Sequence, residues 1–93
     1  MSLRHALLAC VLACCLPSFA SAQEAWPSRP IRLIVPFPPG AGTDTVARFV
    51  AQRLSDTMKT QIVIENKTGA GGAIGAAEAA AAAPDGYTLL FVA

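Results

Sequence analysis

A short apolar run, Ile31–Val35, leads into the proline- and glycine-bearing loop Pro36–Asp44 and then into a segment with helical periodicity, Val46–Met58. In such a strand–loop–helix unit, backbone N–H groups at the helix start lie beyond the carboxyl end of the strand. A helix start carries roughly half a positive charge and several unpaired donors, so it suits an anion. The sequence therefore predicts one half of a carboxylate-binding cleft at this loop.

Glycine keeps side chains out of this loop, and the three prolines stiffen it while supplying no donors. The remaining donors are the N–H groups of Phe37, Gly40, Ala41, Gly42, Thr43 and Asp44. We predict that Thr43 is the N-cap of the helix. Asp44 is expected to supplement the cap and can pair with Arg48 one turn later. A role for Asp44 in orienting a polar ligand stays open, since its carboxylate would also repel a bound carboxylate.

The helix after this loop is expected to bury one face, because apolar residues recur at every fourth position. The predicted buried row consists of Val46, Val50, Leu54 and Met58, widened by Ala47 and Phe49.

Further elements follow in regular alternation. We predict a second strand over Gln61–Glu65, an alanine-rich second helix over Ala73–Ala82 and a third, apolar strand over Tyr87–Val92. The order βαβαβ with buried strands predicts an α/β fold, a parallel sheet with helices on its faces. Gly75 weakens the second helix, so close packing is its expected reason. Trp26 is expected to pack against the first strand.

The N-terminal part of the chain is typical of a secretory signal peptide. A basic start at residues 1–5 precedes an apolar core over 6–16 that is too short for a membrane span, and Ala20–Ala22 fits a cleavage site. We predict cleavage after Ala22, export to the periplasm and a mature chain over residues 23–93. A buried helix of the fold and a lipoprotein signal at Cys14 are weaker alternatives.

Composition excludes several functions for the mature chain. All three cysteines and the single histidine lie before residue 16, so disulfides and thiolate metal sites are not expected. The net charge of the full sequence is only +1, which offers no basic patch for nucleic acid. Neither Ser28 nor Ser55 stands beside a candidate base. We therefore expect neither catalysis nor a cofactor.

A second glycine loop, Gly69–Gly75, follows the second strand. The dinucleotide fingerprint fails in it because Ile74 stands where the third glycine is needed, and no Gly-Lys-Ser/Thr follows for a P-loop. Tight turns alone would account for either loop. Two such loops after successive parallel strands favour a ligand site, because ligands of open parallel sheets bind at that edge.

Four motifs resemble the Bug-type solute receptors, the periplasmic binding proteins of tripartite tricarboxylate transporters. They are Trp-Pro-Ser-Arg-Pro-Ile at 26–31, Pro-Phe-Pro-Pro-Gly-x-Gly-Thr-Asp at 36–44, Glu-Asn-x-x-Gly-Ala-Gly-Gly-x-Ile-Gly at 65–75 and Ala-x-Pro-Asp-Gly-Tyr-Thr-Leu at 82–89. The resemblance implies two α/β domains that close on a small organic carboxylate, held by loop backbone groups, for delivery to membrane permease subunits. It implies no cofactor.

The resemblance places the six donors of the first loop on the first-domain side of the cleft. Beside them it places Gly69, Ala70, Gly71, Gly72 and Ala73. It also departs from the family pattern: Ala41 stands where glycine is common, and Ala73 where asparagine is frequent. Family members are about three times as long, so residues 23–93 are expected to form only part of the first domain. Two alternatives remain, an exported Rossmann-like enzyme with its catalytic residues farther on, and a truncated remnant that binds nothing.

Overall fold

The computed structural model describes residues 3–14 and 25–93. In chain order its elements are α1 (Leu3–Cys14), β1 (Ile31–Val35), α2 (Gly42–Met58), β2 (Ile62–Asn66), a 3₁₀ turn (Ala70–Gly72), α3 (Ala73–Ala81) and β3 (Thr88–Leu90). The predicted α/β fold is confirmed, and so is the order βαβαβ. The predicted cleavage site at Ala20–Ala22 lies outside the described residues. Within the described ranges, no helix has the length and apolar character needed to cross a membrane.

The three strands form one parallel sheet in the order β2-β1-β3. β1 pairs with β2 from Ile31 opposite Ile62 to Val35 opposite Asn66, and with β3 along its other edge. The crossover from β1 to β2 and the crossover from β2 to β3 thus run in opposite directions across the sheet. Because parallel crossovers are right-handed, the reversal places α2 and α3 on opposite faces of the sheet. The carboxyl end of β1 is therefore the switch point of the topology, where ligands of such sheets bind.

Only the central strand is buried along most of its length. Ile31, Ile34 and Val35 of β1 are completely inaccessible to solvent. The prediction of three buried strands is wrong for the two edge strands, since Val63 of β2 and both leucines of β3 are more than a third exposed. Each edge strand has one neighbouring strand instead of two, so it is less covered.

The buried face of α2 agrees only in part with the predicted row. Ala47 is buried against β1 as predicted, together with Ala51, whereas Val46 is 48% and Phe49 62% exposed. The other three members of the row, Val50, Leu54 and Met58, are half-buried. The two alanines are the residues of α2 that lie closest against the sheet. The guanidinium of Arg53 lies 5.5 Å from the centre of the Phe49 ring, on the outer side of the helix.

Close packing at Gly75 is confirmed. A Cβ atom at this buried position of α3 would lie 2.8 Å from the Lys67 carbonyl oxygen and 2.8 Å from Pro36 Cβ. Trp26 does not become buried on β1 as predicted. It is half exposed, and its indole lies against Gly86 and the ring of Tyr87, just before β3.

Candidate functional site

The two glycine loops meet at the carboxyl edge of the sheet. A Cβ on Gly72 would lie 3.5 Å from Cζ of Phe37, so the ring of the first loop packs against the backbone of the second. Gly75 approaches Pro36 in the same way, one turn farther along α3. The structure thus brings together the two sets of residues that the sequence singled out.

The start of α2 is not capped by a side chain. The N-cap is Ala41, which has no acceptor to offer, and Thr43 lies inside the first turn, so the N-cap prediction for Thr43 is wrong. The helix begins at Gly42, four residues before Val46, the first apolar position of the periodic pattern. The N–H groups of Gly42, Thr43 and Asp44 consequently have no carbonyl of their own helix to donate to. Apart from its chain neighbours and the backbone of its own helix, no heavy atom lies within 4 Å of the position that a Cβ on Gly42 would take.

Two of the six predicted donors are used within the loop. The Gly40 N–H donates to Asp44 Oδ2 at 2.9 Å, and the Ala41 N–H donates to the Pro38 carbonyl at 3.2 Å, closing a tight turn. The prediction that the loop amides are unpaired is therefore wrong for Gly40 and Ala41. The reason is that a chain turning from strand to helix in so few residues satisfies its own donors.

Asp44 is buried at the base of this loop, only 2% exposed. Its Oδ2 also accepts from Arg48 Nε at 2.9 Å, and its Oδ1 accepts from Asn66 Nδ2 at 2.8 Å. Arg48, Asn66 and the Gly40 amide, in that order, lower the pKa of Asp44 to about 2. The predicted pairing with Arg48 is confirmed. Because the carboxylate is paired with a guanidinium and hydrogen-bonded on both oxygens, its repulsion of a nearby anion is reduced.

Asn66, the last residue of β2, is a member of this cluster that the sequence reasoning did not select. Its Nδ2 donates to the Phe37 carbonyl at 3.0 Å as well as to Asp44, and its Oδ1 accepts from Arg48 Nη2 at 3.4 Å. The available signal was its position. A polar residue that ends one strand of a parallel sheet lies at the same edge as the end of its neighbour, here Val35.

The second loop contains a run of left-handed backbone. Gly69, Ala70, Gly71 and Gly72 all have positive φ, and Ala70 at 50° is a non-glycine residue in this region. The Gly72 N–H donates to the Gly69 carbonyl at 3.1 Å, which closes the 3₁₀ turn. Ala73 is exposed at the first position of α3. The loop thus presents mainly backbone, and the methyl groups of Ala70 and Ala73 are its only side chains between residues 69 and 73.

The Lys67 side chain, just after β2, is paired with α3. Its Nζ lies 3.7 Å from Glu78 Oε1, and Glu78 and Glu65 also pair with Arg32 on the side of the sheet that α3 covers. The Arg32 guanidinium holds the pKa of Glu65 below its usual value. This network joins β1, β2 and α3, and it accounts for Lys67 without a ligand.

A shallow groove of about 360 Å³ lies elsewhere, along α2 and the edge strand β2. Only Arg48 belongs both to this groove and to the cluster at the loops. The groove is lined by Arg48, Ala51, Gln52, Ser55, Asp56, Ile62 and Ile64. Among residues 3–14 and 25–93, no group of three or more histidine, cysteine or acidic side chains is arranged to hold a metal ion.

Solved structures with this arrangement define the class of protein. The chain superimposes on the periplasmic binding protein BugD with a TM-score of 0.68 at 48% identity, over 70% of this chain and 22% of that one. An R. palustris protein with adipate matches at 43% identity, with the same TM-score and coverage. MatC from Rhodopseudomonas palustris with bound malate matches at 46% identity, again with a TM-score of 0.68 over 70% of this chain and 22% of that one.

Sequence relatives give the family. A UPF0065 protein of Agrobacterium vitis is 52% identical over 75 residues, and BugT of Bordetella pertussis is 51% identical over 67 residues. These alignments cover 81% and 72% of this chain, and the chain spans about a fifth of the relatives' length, 22% and 21%. Residues 46–93 match the family described as tripartite tricarboxylate transporter family receptor, TctC. The chain belongs to this family of receptors, whose members include the Bug proteins.

Proposed function

We propose that this chain forms the first-domain side of a receptor that captures a small organic carboxylate in the periplasm. The observation that carries the proposal is the open, uncapped start of α2 at the switch point of the sheet. An anion placed there meets unpaired amides and the positive end of the helix. The structures of two similar proteins, with adipate and with malate, favour a dicarboxylate as the ligand.

The proposed roles of the residues differ between the two loops. The N–H groups of Gly42, Thr43 and Asp44 hold a ligand carboxylate, and the Phe37 ring forms one wall of the site. Gly40 and Ala41 shape the turn through their internal hydrogen bonds. The second loop supplies the neighbouring wall, and its residues are Gly69, Ala70, Gly71, Gly72 and Ala73.

Isothermal titration calorimetry with malate, adipate and citrate tests the proposal. We expect the complete receptor to bind at least one of them, and the 93-residue chain alone to bind far more weakly, because it spans only about a fifth of the relatives' length. If neither the complete protein nor the 93-residue chain bound any of these acids tightly, the alternative of a remnant that binds nothing would be favoured. Turnover of a carboxylate by the complete protein would favour the enzyme instead.

Gly42→Val is the sharpest variant for the site itself. The added side chain would occupy the open space in front of the helix start, so binding should be lost while the fold survives. Thr57→Val, which places a valine at an exposed position near the other end of α2, is the control and should bind normally. Unchanged affinity in Gly42→Val would remove α2 from the site.

We also propose that residues 1–22 direct export and are removed after Ala22, and that the mature receptor delivers its ligand to membrane permease subunits. The apolar helix α1 supports a leader, because its described side chains, residues 3–11, are all exposed and make no core. Deleting residues 1–22 should leave the protein in the cytoplasm. N-terminal sequencing of the periplasmic protein should begin at Gln23, and an intact Met1 there would overturn the assignment.

A further inference from the structure

We propose that Asn66 is a positioning residue of the carboxylate site, one that sets the second loop against the first. The inference rests on the proposed function and assigns a role to a side chain that need not touch the ligand. Asn66 ends β2, and the second loop begins directly after it. Its single Nδ2 group donates both to the Phe37 carbonyl and to Asp44 Oδ1.

Each of these hydrogen bonds reaches a different part of the first loop. The Phe37 carbonyl belongs to its beginning, and the Phe37 ring is the surface on which Gly72 packs. Asp44 lies at its end, in the first turn of α2, and holds the Gly40 amide in between. One amide group thus fixes the start and the end of the first loop relative to β2.

Arg48 completes the arrangement from α2. Its Nε donates to Asp44, and its Nη2 donates to Asn66 Oδ1. Every polar atom of the Asn66 side chain is therefore committed inside the cluster. An aspartate of the same size would lose the Nδ2 donor and set a second carboxylate beside Asp44. Shape alone cannot replace the amide.

The neighbouring residue in the strand provides a matched control. Glu65 is also bonded to another element, since it accepts from Arg32 Nε at 2.9 Å and from Arg32 Nη2 at 2.6 Å. These bonds lie on the opposite side of the sheet and touch neither loop. Glu65→Ala should therefore destabilise the protein without changing the geometry of the loops.

The binding experiment compares the complete receptor with Asn66→Ala, Asn66→Asp and Glu65→Ala, using malate and adipate as probes. We expect both Asn66 variants to lose about ten- to a hundredfold in affinity, as one hydrogen bond to a charged group would give. Glu65→Ala should keep the wild-type affinity. Adding Asp44→Ala to Asn66→Ala should weaken binding by less than the sum of the two single losses, because both variants remove the hydrogen bond between these side chains. Equal affinities for Asn66→Ala and Glu65→Ala would overturn the proposal.

A second measurement needs no ligand. Amide hydrogen exchange at Gly40 and at Gly69–Gly72 should be faster in Asn66→Ala than in Glu65→Ala at the same temperature. Unchanged exchange at these amides would refute the role of Asn66 even if the receptor binds carboxylates. A wild-type receptor that binds no carboxylate would refute the proposed function, and the exchange data would then decide alone whether Asn66 links the loops.

Discussion

Gly75→Ala is expected to destabilise this protein, although replacing glycine by alanine usually stabilises a helix. In an exposed helix interior, replacing glycine by alanine gains about 1 kcal/mol, because alanine loses less backbone entropy on folding. At Gly75 the new methyl group would lie 2.8 Å from the Lys67 carbonyl oxygen, 2.8 Å from Pro36 Cβ and 3.0 Å from Pro36 Cα. These partners are a backbone oxygen and a proline ring at the ends of two paired strands, so neither can rotate away.

Overpacking of this kind costs about 1–3 kcal/mol, and two such short contacts with rigid groups favour the upper end. Subtracting the propensity gain leaves an expected net loss of about 2 kcal/mol for Gly75→Ala. Urea denaturation of the complete receptor, followed by circular dichroism, measures it as a lower midpoint at an unchanged slope. The displaced Pro36 also precedes the first loop, so ligand affinity should fall in parallel.

Gly42→Ala is the control for stability, because it adds the same methyl group where no atom lies within 4 Å. It should stay within about 0.5 kcal/mol of the wild type. If Gly75→Ala proved as stable as the wild type or more so, α3 would not lie as close to Pro36 as the structure places it, and the reasoning would fail.

Four further substitutions test the loops. Ala41→Ser should raise stability by about 1 kcal/mol by capping α2, yet weaken carboxylate binding in calorimetry because its hydroxyl competes for the same amides; equal affinity would contradict that competition. Gly69→Ala should lower the free energy of unfolding by about 1–3 kcal/mol, because the backbone there has a φ of 129°. The new methyl group would also clash with the Ile74 side chain; adding Ile74→Ala should relieve that clash but not the backbone strain. Asp44 has a folded pKa of about 2, below its usual 3.8. The stabilisation of the fold by the Asp44 carboxylate should be complete above pH 3.8 and lost as the pH falls toward 2. Asp44→Asn should therefore flatten the dependence of the unfolding free energy on pH in this range, and an unchanged slope would contradict the assignment.

The organisation of this chain could be predicted from local patterns. Local sequence predicted β1 from its continuous apolar run, α2 from its helical period and α3 from its alanines. A few residues suffice for this, because side-chain period and backbone propensity act locally. Gly75 also indicated close packing of α3 against its neighbours, since glycine inside a helix is otherwise unfavourable. The element order then determined a parallel sheet and the edge at which a ligand would lie.

Tertiary structure decided which groups at that edge are free and which are committed. Strand register sets hydrogen-bond partners such as Asp44 and Asn66, and no local pattern specifies that register. The Asp44 carboxylate, which would repel an anion if it were alone, is paired through these tertiary contacts. The face of α2 was likewise decided by how closely two alanines let the helix approach the sheet, rather than by its largest apolar side chains. Short-range preferences act before the chain is compact, whereas the pairing of distant polar groups exists only after the sheet has formed.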